Sequence, residues 1–268
     1  MASFSVVNNI TSAYAQTNLQ ATQLGLQKAL NRLSSGYRIN NAGDDAAGLS
    51  VANTYRNSSA ILTQGVRNAN DGMSNLQIKD GALSNISTLL DRLSTLAAQA
   101  ATTKDTTIQT KLNTEFRNVT DEITRETKVA GLETSSSFSV FVSNTTSASD
   151  GMVGGAVAAV TLTSLGISGS TIDNQGNAIA TVAKISSAVT SLGAVQSTIG
   201  SLQNSLQFAV SLAQSQLVNT RAAESRIRDA NVAEEAANMT RYNILSQSGI
   251  AALAQANQST SSVLALLR

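Results

Sequence analysis

The chain has no cysteine, no histidine, no proline and no tryptophan. Without cysteine there is no disulfide, no thiol nucleophile and no zinc–thiolate site. Without histidine the usual general base, the Ser-His-Asp and Cys-His arrangements and the commonest transition-metal ligand are all missing. Catalysis would have to rest on carboxylates, lysine or tyrosine, so the residue inventory points away from an enzyme. A protein of this length ordinarily carries about a dozen prolines. Proline breaks helix interiors, so its absence favours long uninterrupted helices. Aromatic residues make up only 3%, which leaves Leu, Ile, Val and Ala to build any core.

Charge is scarce as well: 18 basic residues face 17 acidic ones, for a net charge of +1. That balance provides no attraction toward nucleic acid or an anionic membrane. No unbroken apolar run approaches the ~18 residues of a membrane span, and none is expected to insert. The first twenty residues, MASFSVVNNITSAYAQTNLQ, lack the basic and continuous apolar regions of a signal peptide. Export, on this reading, takes another route.

What is present is helical periodicity. Val6, Ile10, Ala13, Leu19, Leu26, Leu30 and Leu33 form a first stripe. Leu83, Ile86, Leu90, Leu93, Ala97 and Ala100 step by three and four, close to a coiled-coil seam. After a polar break at 102–107, Leu112, Phe116, Val119 and Ile123 form another helix. From Val182 to Leu217 the three-and-four spacing is strongest. Val232, Ala236, Met239, Ile244, Leu245, Ile250, Leu253 and the run Val263–Leu267 continue it to the end.

Between 131 and 180 the texture shifts to Gly, Ser, Thr and Val. Phe138, Val140 and Val142 recur with the period of two of a strand, broken only by Phe141. Residues 157–162 are β-prone, and Gly154-Gly155 and Asn174-Gln175-Gly176 are turn signals. The expected architecture is mainly α: an elongated helical rod of coiled-coil character, with paired N- and C-terminal helices and a small β-rich excursion in the middle. Its segments are residues 1–44, a terminal helix and linker; 45–180, the first part of the rod with the β-rich region at about 131–180; 181–225, the return helix; and 226–268, the other terminal helix. Small residues such as Ala13, Ala15, Ala21, Ala29, Ala251, Ala252, Ala254 and Ala256 permit close helix approach. Apolar surface left over on such helices marks an interface, and head-to-tail copies that never close give a filament.

One segment breaks this pattern. RLSSGYRINNAGDDAAGLS, residues 32–50, crowds two Arg, two adjacent Asp and three Gly between two helices. Asp44-Asp45 reads as helix capping rather than an acid/base or metal pair, with either residue as the cap. Gly36, Gly43 and Gly48 have no preceding strand and no following Gly-Lys-Ser/Thr, so they read as a turn or hinge and not as a phosphate loop. No cofactor or metal site is expected. Arg32, Arg38 and Arg56 are candidates for pairing with Asp229, Glu234 or Glu235 of a neighbouring copy.

RLSSGYRINNAGDDAAGLSVANTYR, RNANDGMSNLQIKDGALSNI at 67–86 and SRIRDANVAEEAANMTRYNILSQSGIAALAQANQSTSSVLALLR at 225–268 together resemble the signatures of bacterial flagellins, in the right order. The resemblance covers roughly residues 1–130 and 180–268. It implies a structural subunit that polymerises into the extracellular flagellar filament, with the terminal helices as inner tube and the rod as outer tube. It implies export, unfolded, through the flagellar type III apparatus. Its implied partners are other copies, the hook-associated junction protein, the filament cap and an export chaperone. The inner-tube residues would be Leu19, Leu26, Leu30, Leu33, Ile244, Leu245, Ile250, Leu253, Val263, Leu266 and Leu267. The linker and subunit contacts would be Arg32, Gly36, Arg38, Gly43, Asp44 and Asp45. Arg92, Leu96, Gln99 and Glu115 match a patch that host Toll-like receptors read in this family. Asp91, Ser94 and Thr95 depart from it. The hook–filament junction protein shares part of the N-terminal pattern and is the alternative; another self-assembling coiled coil is a more distant one.

Overall fold

The computed structural model describes residues 9–143 and 151–266, without the side chains of 260–266. Five helices and one hairpin follow in chain order: α1 Ile10–Ser35, α2 Ala46–Thr102, α3 Thr106–Val129, β1 Ser136–Phe141, β2 Met152–Val157, α4 Gln175–Arg228 and α5 Val232–Leu266. The mainly α expectation holds. With no proline to stop them, α2 and α4 reach 57 and 54 residues. The chain divides into two compact units. Unit 1 is Met1–Asn57 with Asn219–Arg268, and unit 2 is Ser58–Val218.

Unit 2 is built around a closed apolar core. From α2 it takes Leu62, Ala69, Leu76 and Leu83 at steps of seven, then Ile86, Leu90, Leu93, Ala97 and Ala100 at steps of three and four. The stripe widens where α3 adds Phe116 and Ile123, both fully buried. Ile185, Leu192, Ile199, Leu202 and Leu206 of α4 close it, joined by Ala178, Thr181, Ala188 and Val210, which apolar spacing alone does not select. By length and composition α4 could also cross a bilayer. An expectation drawn from unbroken apolar runs misses this, because Ser and Gly interrupt them. In unit 2 the apolar stripe of α4 is buried in protein.

The connections are satisfied locally. Asp105 caps α3 by accepting from the N–H groups of Thr107 and Ile108. The buried Gln109 donates to the carbonyls of Ala100 and Thr103 at 3.4 and 2.7 Å, which α2 would otherwise leave open. Asn174 accepts from Asn177 N–H at 2.8 Å and starts α4 at Gln175, ahead of the expected 181.

β1 and β2 pair antiparallel, Ser136 opposite Val157 through Phe141 opposite Met152. The alternation of Phe138, Val140 and Val142 is borne out. Two sequence expectations are corrected. Gly154-Gly155 lies within β2 and makes no turn: a side chain on Gly154 would run into the Phe138 carbonyl, and one on Gly155 into Leu202. The β-prone 157–162 is strand only at Val157. Thr161 and Ser164 exchange hydrogen bonds there and fold the chain into a turn instead. The hairpin lies against α2, where Gly65 faces the Val142 backbone and Gly72 faces Val140 and Phe138.

The candidate assembly surface and its linker

Unit 1 is an antiparallel pair of α1 and α5, completed by the ends of α2 and α4. Asn9 caps α1, accepting from Ser12 N–H at 3.0 Å, and its amide donates 3.0 Å to the Ala256 carbonyl of α5. At the other end Gly36 closes α1 in the left-handed region, φ 73°, with its N–H on the Arg32 carbonyl. Between these points the inward positions of α1 are Ser12, Ala15, Leu19, Thr22, Leu26, Ala29 and Leu33. Those of α5 are Glu235, Met239, Tyr242, Ser246, Gly249, Leu253 and Ala256. Both sets step by three and four.

This seam is mixed and narrow. The Tyr242 ring lies on Gly25, where a Cβ would stand 2.6 Å from it. Leu19 lies on Gly249 in the same way, with a Cβ 3.2 Å from its Cδ1. One helix supplies a knob where the other supplies a glycine, which sets their register. Because the helices approach so closely, small residues win inward places and large ones are turned out. The first stripe expected from the sequence is corrected accordingly. Leu19, Leu26, Leu33 and Leu253 are half-buried at the seam, but Ile10 is 53% exposed, Leu30 45%, Ile244 61%, Leu245 46% and Ile250 58%. Ala15, Ala29 and Ala256 face the partner helix, whereas Ala13, Ala21, Ala251, Ala252 and Ala254 do not. Val6, Leu267 and the side chains of Val263 and Leu266 lie outside the described residues.

The linker resolves into two devices. Asp45 is the cap: its carboxylate accepts from Gly48 N–H at 2.8 Å at the start of α2. Asp44 is not a cap but a junction. It accepts from the N–H groups of Asn40 and Asn41, both at 3.2 Å. It also meets Lys28 Nζ at 2.9 Å and Arg32 at 3.9 Å. Chiefly the Lys28 hydrogen bond, then the Asn41 N–H, lowers its carboxyl pKa to about 2. Arg32 turns its other nitrogen to Glu235 at 3.0 Å.

The second device joins the two crossings of unit 1. Tyr37 bridges Asp229, Arg38 N–H reaches the Arg228 carbonyl at 2.7 Å, and Ala230 N–H reaches the Gly36 carbonyl at 2.9 Å. The Arg228 guanidinium stacks on the Tyr37 ring at 4.2 Å. Arg38 also donates to the Ile227 carbonyl at 2.8 Å. The expected pairing of Arg32 with Glu235 therefore occurs, but within one chain, and Arg38 meets carbonyls rather than carboxylates. Glycine roles divide too. Gly36 turns the chain, Gly43 lies in the turn without a positive φ, and Gly48 is inside α2, pressed by Ile39.

In unit 2, Arg92 of α2 pairs with Glu115 of α3 through both Nε and Nη2, and Gln99 is exposed. Leu96 is only 1% exposed and belongs to the core. Its apolar character, read as part of a surface patch, is used inward against neighbouring helices.

The bacterial flagellin N-terminal helical region matches residues 6–134, and the bacterial flagellin C-terminal helical region matches residues 182–267. The chain belongs to the bacterial flagellin family. It is thus a structural subunit of a filament. A flagellin from Halalkalibacterium halodurans is 35% identical over 271 residues, covering 97% of this chain and 98% of its own. A flagellar filament 33 kDa core protein from Treponema phagedenis is 32% identical over 283 residues, covering 97% and 99%. Both alignments run nearly end to end, so this is a short flagellin without large outer domains. A crystal structure of Bacillus cereus flagellin matches 59% of this chain and 94% of that one, at 26% identity and a TM-score of 0.48.

Proposed function

We propose that the outer faces of paired α1 and α5, not their shared seam, join copies of this chain in the extracellular flagellar filament. One observation carries this. The large apolar side chains of unit 1, Ile10, Tyr14, Leu24, Ile244 and Ile250, are more than half exposed. Apolar surface of that extent on an ordered helix pair associates or aggregates in water. Repeated heterologous contact between copies gives an open helical polymer. The Asp44 and Arg38 contacts would hold the linker in one shape while this happens.

The same exposed residues support the finer parts of the reading. A chain carrying Ile244, Leu245 and Ile250 before assembly needs protection, which suits an export chaperone on the C-terminal helix. Passage unfolded through the type III apparatus suits a chain with no disulfide to form. The hook-associated junction protein and the filament cap would meet the same terminal surfaces. For a host Toll-like receptor, Arg92, Gln99 and Glu115 are the positions left to read.

The test is polymerisation of the double variant Ile244→Ser/Ile250→Ser, followed by negative-stain microscopy and sedimentation. Both positions are exposed, so the monomer should keep its helix content. The concentration needed for filaments should rise at least tenfold. Filaments at the wild-type concentration would overturn the assignment.

A further inference from the structure

Residues 134–149 contain no Asp, Glu, Lys or Arg, and no Gly or Pro. Within them residues 136–142 read SSFSVFV. Phe138, Val140 and Val142 fall on one side of the strand, and Ser137, Ser139 and Phe141 on the other. A short stretch rich in Phe and Val, without charge, proline or glycine, is the composition of a strand that pairs with copies of itself.

The hairpin that contains it is a sheet of two strands, so β1 and β2 each have one edge with no strand beside it. Folded proteins defend such edges with lysine, proline or a bulge. Neither strand contains a charged residue or a proline, and the register runs from Ser136–Val157 to Phe141–Met152 without a bulge. A cation does reach β1, but from a helix: Lys79 Nζ of α2 lies 3.4 Å from Ser136 Oγ. It stays there only while the hairpin lies on α2.

What holds the hairpin on α2 is a close fit. Phe138 and Val140 lie over Gly72, where a Cβ would stand 3.0 and 2.8 Å from them, and the Val142 carbonyl lies over Gly65. The apolar side of β1 is thus turned onto α2, and Val142 is buried. A two-stranded hairpin by itself is only marginally stable in water, and a local opening costs less than unfolding the core beneath it.

We propose that residues 136–142 are a self-association site distinct from the outer faces of α1 and α5. When the hairpin lifts from α2, the partner that fits is the same segment of a second copy, stacked strand on strand as cross-β with Phe138, Val140 and Val142 interdigitated. A neutral segment meets its own copy without repulsion, and the stack satisfies both of its open edges. Gly65 and Gly72 hold the folded chain away from this state by letting the hairpin sit close.

The test holds the full-length chain near the thermal midpoint of unit 2. It follows thioflavin T fluorescence and the fibre-diffraction reflection at about 4.7 Å that marks stacked strands. Ser139→Lys puts a charge on the exposed side of β1; it should leave the thermal midpoint unchanged and lengthen the lag about tenfold. Thr190→Lys, at an exposed position of α4, adds the same charge elsewhere and should keep the wild-type lag. Gly65→Ala, which pushes on the Val142 carbonyl, should shorten the lag, and adding Ser139→Lys to it should restore the delay. The variant Ile244→Ser/Ile250→Ser should give the same cross-β fibres as wild type where it gives no flagellar filament, so this site and the filament reading fail separately. No thioflavin-positive product from wild type, an unchanged lag in Ser139→Lys, or an equal delay in Thr190→Lys would each overturn the site.

Discussion

In unit 2 most of the large apolar side chains are enclosed in one core; in unit 1 many of them are turned outward. Leu83, Ile86, Leu90, Leu93, Phe116, Ile123, Ile185 and Leu192 are essentially buried, and three helices with a hairpin enclose them. Among the described residues of α1 and α5 the fully enclosed apolar one is Ala29, and the contacts that fix the pair include two knob-on-glycine fits, one ion-pair junction and the Asn9 amide on the Ala256 carbonyl. A closed core stabilises a single chain by itself. The α1–α5 pair, with a seam of small and polar residues, leaves Ile10, Tyr14, Leu24, Ile244 and Ile250 in solvent. The difference is the one the assembly proposal turns on: a unit that encloses its apolar groups beside one that leaves many of them in water.

That contrast can be broken at several points, in descending order of effect. Phe116→Ala should destabilise unit 2 by about 3–5 kcal/mol, the usual cost of deleting a buried aromatic, and thermal unfolding followed by circular dichroism measures it. Gly25→Val should leave unit 2 melting unchanged while costing the α1–α5 pair about 1–3 kcal/mol, because Tyr242 has to leave its place. Amide exchange along α1 reports it, and unchanged protection there would remove the register role assigned to the glycine.

Arg32→Ala should cost unit 1 about 1–2 kcal/mol by leaving the Glu235 carboxylate, 8% exposed, without its partner. A double-mutant cycle with Glu235→Gln isolates the pair. Asp44 makes the linker acid-sensitive. Its folded pKa of about 2 lies below the unfolded 3.8, so its contribution is complete above about pH 4 and lost as pH falls through 2. After allowance for solvent screening that is about 1 kcal/mol. Asp44→Asn should flatten that part of the pH profile. Arg92→Ala should change unit 2 stability by only a few tenths of a kcal/mol, as both partners are half exposed.

The helices themselves were legible in the residues. Three-and-four spacing and the missing proline are local signals, and local signals survive without knowledge of the partner; the caps Asp105 and Asn174 went unread, and Asn174-Gln175-Gly176, expected as a turn, opens α4. The closed core was mostly legible for the same reason: a residue as large and apolar as Phe116 or Ile123 has one good place. The candidate site was less so. Leu30 and Leu19 look alike along α1, yet one is outside and the other at the seam. Leu96 looks like part of an accessible patch and is in the core. Asp44 and Asp45 are indistinguishable as neighbours, and they take different work.

The sequence by itself determined that this chain is helical, lacks histidine and cysteine, and carries the three signatures of its family. It also determined, through the three-and-four spacing of its apolar residues, that each helix has faces to be taken out of water. Only the tertiary structure decided which faces those are. Inward and outward positions on a helix depend on how close the next helix comes, and that distance is set by pairs remote in sequence: Gly25 with Tyr242, Leu19 with Gly249, Arg32 with Glu235. Hydrophobicity says that a side chain should leave water. The partner's shape says whether there is room for it inside the same chain.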